Sequence, residues 1–191
     1  MQSNANPYRW LTPPQQTRAF VPLLALTLVL MVWLRVLDRP LQTESAPQGI
    51  VSYELAGTLD RAQAILDSWG ANGRVYAGLS LGIDYLFMVA YAGAIGLGCA
   101  LIGGRLSSRR KRLGALSGLL AWGLIVAGLL DALENFSLIQ TLLGSTETLW
   151  PPIARWSATG KFLLIGLGLL YVLIAGGIAL FSGRASTTGE G

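Results

Sequence analysis

The chain contains no histidine and a single cysteine, Cys99. Without imidazole there is no histidine-ligated haem, no Ser-His-Asp triad and no Cys-His dyad, and one thiol supports neither an internal disulfide nor a multi-cysteine metal site. Charge is scarce as well. Asp, Glu, Lys and Arg make up 13% of the 191 residues, about half the share found in soluble domains. The net charge is only +4, and the basic residues flank apolar runs instead of interleaving with aromatics along a groove, which argues against nucleic acid as a partner. Apolar residues account for 52% and glycines number 24, a combination expected where helices pack closely in lipid. No cofactor and no metal ion is expected from these residues.

The order of the chain predicts an all-α fold, a transmembrane four-helix bundle with an additional amphipathic helix on the extracytoplasmic side. Residues 1–19 read as a polar, basic tail, with Tyr8 and Trp10 suited to the headgroup layer. The apolar run at about 20–37 is just long enough to span the hydrocarbon, with Pro22 in its first turn, where proline is tolerated. A loop with Pro40, Pro47 and Gly49 follows. Leu55, Leu59, Ala62, Leu66 and Trp69 then recur at alternating four and three, opposite Asp60, Arg61, Gln63 and Asp67. This spacing predicts an amphipathic helix over about 54–69 that ends at Gly70 and either rests on a surface or closes a pocket as a lid.

Further spans are expected at about 75–103, 113–143 and 153–181, within a membrane domain of 20–182, before a disordered tail at 183–191. The linker between the second and third spans holds Arg105, Arg109, Arg110, Lys111 and Arg112 and no acid. By the positive-inside rule it is cytoplasmic. Both termini then lie inside, and the expected location is the plasma (inner) membrane. Gly78 with Gly82, Gly114 with Gly118, and the Ala90, Ala94, Gly98 series offer small-residue faces for close helix approach.

The candidate functional residues are those too polar for their surroundings. Asp131, Glu134, Asn135 and Leu138 fall at i, i+3, i+4 and i+7 of the third span and so share one face. On the second span, Asp84, Met88 and Tyr91 do the same. Counting from the cytoplasmic basic residues places Arg35, Asp84, Asp131, Glu134 and Lys161 roughly 26–34 Å above the inner boundary, one charged layer drawn from all four spans. Two bases, Arg35 and Lys161, stand there against three acids. The near balance favours salt bridges that pin the helices, with Asn135 bonding across to a neighbour. The alternative use of the same residues is an outward-open polar pocket. Ser157 and Lys161, at i and i+4, could form a serine-lysine pair. The three acids could ligate a hard cation, although two nearby bases would leave little spare negative charge.

The segments Gly82-Ile-Asp84-Tyr-Leu-Phe-Met-Val-Ala-Tyr91, Asp131-Ala-Leu-Glu-Asn135 and Lys161-Phe162 resemble a group of uncharacterised bacterial membrane proteins with four spans. The resemblance covers the three later spans and implies the same architecture, but no activity. From the residues, the expected function is that of a non-enzymatic binding or assembly module acting through the charged layer near the outer face. Its expected partners are the lipid bilayer and a small amphiphilic ligand or another membrane protein, with homo-oligomerisation open. Two other readings stand beside it. One is an oligomeric small-solute or proton-coupled transporter, because buried carboxylates can carry protons. The other is a membrane enzyme acting on a lipid-like substrate with Asp131 or Glu134 as acid or base.

Overall fold

The computed structural model describes residues 6–106 and 111–184. Arg109 and Arg110 of the basic linker and most of the expected C-terminal tail lie outside the described residues. The elements are α1 (Pro13–Asp38), a short 3-10 turn (Arg39–Leu41), α2 (Ile50–Glu54), α3 (Leu59–Leu106), α4 (Lys111–Leu142) and α5 (Trp150–Arg184). The chain is all-helical over the described residues, and α1, α3, α4 and α5 are each long and apolar enough to cross a bilayer. That makes it a multi-pass membrane protein in outline.

Helix α1 begins earlier than the apolar run suggests. The Gln15 side chain accepts a hydrogen bond from the Thr12 amide at 2.8 Å, closing the first turn over the proline pair at 13 and 14. Pro22 therefore lies inside the helix and not in its first turn. Ahead of α1, Gln16 donates to the carbonyls of Tyr8 and Leu11 at 3.1 Å each, and Tyr8 Oη reaches the Ala92 carbonyl at 3.4 Å, so this segment folds against α3.

Helix α3 is the centre of the bundle. It packs on α1, α4 and α5, while α4 and α5 also pack on each other. Ala90, Ala94 and Gly98 are all buried, and a Cβ at Gly98 would meet Phe20 of α1 and Val172 of α5, each at 3.5 Å. Small side chains here let two helices approach the same stretch of α3. The Gly78 and Gly82 pair does not work this way: space is open at Gly82.

The segment between α1 and the body of α3 folds into a cap on one end of the bundle. Its helical stretch starts at Leu59 instead of about 54 and ends at Gly70 as the spacing predicts: the backbone there is non-helical, and a second helix runs on from the kink to Leu106. Gly70 has φ 58° and ψ −166°, a region open essentially to glycine alone. Ala62, Ile65, Leu66 and Trp69 are buried, whereas Leu55, expected on the same face, is exposed. These side chains join Leu41, Ala46 and Tyr53 in a core that extends down to Ala77, Leu81, Leu138 and Ala154. Trp69 Nε1 donates to the Leu41 carbonyl at 2.7 Å, Tyr53 Oη donates to the Leu138 carbonyl at 2.9 Å, and the two rings meet edge to face. Every buried polar group of the two aromatics is thus satisfied while its ring packs, as burial requires. The cap rests on the helix ends.

Candidate functional site

Beneath the cap, α2, α3, α4 and α5 bring their polar residues together. Helix α4 presents Asp131, Glu134 and Asn135 along one stripe, and all three are 0–1% exposed. From α5, Lys161 reaches into that stripe. Its Nζ lies 2.6 Å from Asp131 Oδ1 and 2.8 Å from Glu134 Oε2. Tyr91 of α3 donates to Asp131 Oδ2 at 2.9 Å, so both oxygens of that carboxylate are engaged. Also from α3, Asp84 accepts a hydrogen bond from Asn135 Nδ2 at 2.7 Å. The structure therefore brings together Asp84, Tyr91, Asp131, Glu134, Asn135 and Lys161.

Arg35 does not join them. Its side chain is 79% exposed and faces Asp38 of its own helix at 3.8 Å. An i, i+3 partner at the end of α1 is nearer than the bundle interior, and a guanidinium that can stay hydrated avoids the cost of burial. Asp38 in turn accepts a hydrogen bond from the Ile50 amide at 2.7 Å, capping the start of α2. Gly49, at φ 58°, leaves room for that carboxylate where a side chain would collide with it.

Glu54 joins the site without any mark in the sequence. It closes α2, is buried, and brings its Oε2 to within 4.0 Å of Lys161 Nζ. Burial raises the Glu54 carboxyl above the usual carboxylate range, Lys161 pulls it back, and Asp131 adds to the rise. In sequence it is a lone acid in a stretch bounded by proline and glycine, with no periodicity to mark it. Only the fold of the cap places it in the site.

The electrostatic balance is therefore different from that expected. Four carboxyl groups, from Glu54, Asp84, Asp131 and Glu134, surround one ammonium. Glu134 Oε1 and Glu54 Oε2 have no hydrogen-bond partner despite being buried, and Glu134 Oε2 touches Lys161 without hydrogen-bond geometry. Negative charge left unpaired in an apolar setting is costly, so carboxyls in excess of the one ammonium favour a bound proton or a donor beside them. Ser157 is buried one turn from Lys161, but the Lys161 ammonium is committed to Asp131 and Glu134. Among the described residues no group of three His, Cys, Asp or Glu is disposed to hold a metal ion.

A partly enclosed cavity of about 160 Å³ adjoins the cluster. Glu54, Asp84, Asp131 and Lys161 supply its polar wall, and Leu34, Phe87, Phe162 and Ile165 contribute to its apolar one. Ile50 and Val51 of α2 line it from the cap. The arrangement joins a charged anchor to an oily compartment, the usual make-up of a small-molecule site. No protein-family model, curated protein or solved structure matches the chain.

Proposed function

We propose that this chain is a non-enzymatic binding module of the plasma membrane that holds a small amphiphilic ligand in the capped cavity. The observation that carries this reading is the cavity itself, where carboxyls from three helices meet an aromatic wall under α2. In this reading both termini are cytoplasmic, on the side of the basic linker, and the cap is extracytoplasmic. The stretch Leu59 to Trp69 is then the outer amphipathic helix, its apolar face on the bundle and its Asp60, Arg61, Gln63 and Asp67 face in water. Helix α2 serves as the roof of the pocket.

The test is extraction of the ligand. Protein purified in mild detergent should release a stoichiometric small molecule on denaturation, identified by mass spectrometry, and a Phe87→Trp variant that fills the cavity should release much less. An empty parent that is neither stabilised nor quenched by any member of a small-amphiphile library would overturn the reading.

The surplus of carboxyls favours a second reading, proton-coupled transport by an oligomer, since buried acids beyond the number of bases are natural proton carriers. Vesicles containing the protein should then show solute or proton flux whose pH dependence is lost in Asp131→Asn. No flux under any imposed gradient would remove this alternative.

A further inference from the structure

The cavity has more acid than base, and its occupant must answer that imbalance. Asp131 already has both oxygens engaged, one by Lys161 and one by Tyr91, and Asp84 has Oδ2 held by Asn135. Glu54 is different. It lines the cavity, is only 8% exposed, and its Oε2 has no hydrogen-bond partner, with Lys161 Nζ no closer than 4.0 Å. An acceptor oxygen this well buried, with only the Glu134 carboxyl beside it and the ammonium at 4.0 Å, can take a further donor. A proton would satisfy the charge but needs no room, and room is provided.

The shape of that room narrows the donor. A hard metal ion takes six or more converging oxygens, whereas Leu34, Phe87, Phe162 and Ile165 supply only hydrocarbon and ring faces. Ring faces next to carboxylates suit an organic cation, which gains from both. The volume of about 160 Å³ is close to that of an apolar protein cavity known to hold benzene, roughly 150 Å³.

Resting on the reading of this cavity as a binding site, we propose that its ligand is an organic ammonium ion with a compact apolar group. Glu54 and Asp84 receive the ammonium, and Phe87 and Phe162 face the apolar part. A free amine and the ammonium of a membrane lipid headgroup share this chemistry.

The probes are benzylammonium, its neutral counterpart benzyl alcohol and the anion benzoate, titrated calorimetrically at neutral pH into the full chain in nanodiscs of phosphatidylglycerol. Benzylammonium should bind about tenfold to a hundredfold more tightly than benzyl alcohol, the worth of a charge-assisted hydrogen bond. Benzoate should bind least. The preference for the amine should collapse in Asp84→Asn and in Glu54→Gln, two substitutions that keep shape and remove charge. Because the comparison of probes is made on the parent chain, it stands even if one variant fails to fold. Adding phosphatidylethanolamine to the discs separates the sources: competition with benzylammonium assigns the lipid headgroup, and no competition assigns a free amine. Equal binding of the amine and the alcohol, or preference for benzoate, would overturn the ammonium assignment while leaving the cavity a binding site. If none of the three probes binds and the purified protein releases no ligand, both fail.

Discussion

Lys161 is the residue on which the buried cluster depends, because it is the sole ammonium among Glu54, Asp131 and Glu134. Substituting Lys161→Met would leave that group of carboxyls without its cation, and the expected cost is about 3–5 kcal/mol. Glu134→Gln should cost far less, about 1 kcal/mol, because acids are in excess and an amide brings donors to an environment short of them. A layer with balanced charge would make the two substitutions similar; the surplus of acid makes them unequal. Thermal unfolding in detergent measures the difference, and equal losses would contradict the surplus. Glu54 adds a pH dependence. Since burial raises its carboxyl in the folded chain, the folded state binds more protons than the unfolded state from the ordinary carboxylate range up to that raised position. Stability contributed by this group therefore falls as pH rises through that window and is recovered on acidification. Asp38, Asp131, Glu134 and Lys161 surround it and set the background. The Glu54→Gln variant should show a flatter profile of melting temperature against pH than the parent over this interval, and parallel profiles would exclude the assignment.

Among the elements, the cap is what distinguishes this molecule from four bare spans. It has a core of its own, Tyr53 and Trp69 locking Leu41 and Leu138 through hydrogen bonds, and it joins the longer part of α3 through the bend at Gly70. That bend uses a backbone conformation that side-chain-bearing residues avoid at a cost of about 1–3 kcal/mol. Nothing lies within 4 Å of a Cβ built at Gly70, so Gly70→Ala isolates the backbone cost from any collision. Hydrogen exchange should speed up across the cap amides in this variant and stay unchanged in α4 and α5. Unaltered exchange throughout would mean that the bend carries no strain. The helical pattern over Ala62, Leu66 and Trp69 was legible because a buried face repeats at 3.6 residues. The start at Leu59 was not, since Leu55 extends the same pattern in sequence while lying exposed in the fold.

At the scale of the whole molecule, the membrane reading makes a topological prediction. Gln63, on the exposed side of the cap, and Arg18, in the first turns of α1, lie on opposite sides of the bilayer if both termini are cytoplasmic. In intact cells an impermeant maleimide should label Gln63→Cys but reach Arg18→Cys only after lysis, against a low background because Cys99 is buried. The reverse pattern would invert the orientation. Number and approximate extent of the four long helices followed from composition and the length of apolar runs, because lipid demands that each span satisfy its own backbone within one continuous helix. The common face of Asp131, Glu134 and Asn135 followed from helical spacing alone, a local property. Which charges meet across helices did not. Arg35 and Lys161 looked equivalent in height, yet one turns outward to Asp38 and the other inward to Asp131, and Glu54 arrives through a cap whose path no local pattern encodes. Sequence spacing decides the face of one helix; only packing decides the rotation of each helix against its neighbours, and with it which side chains share a site.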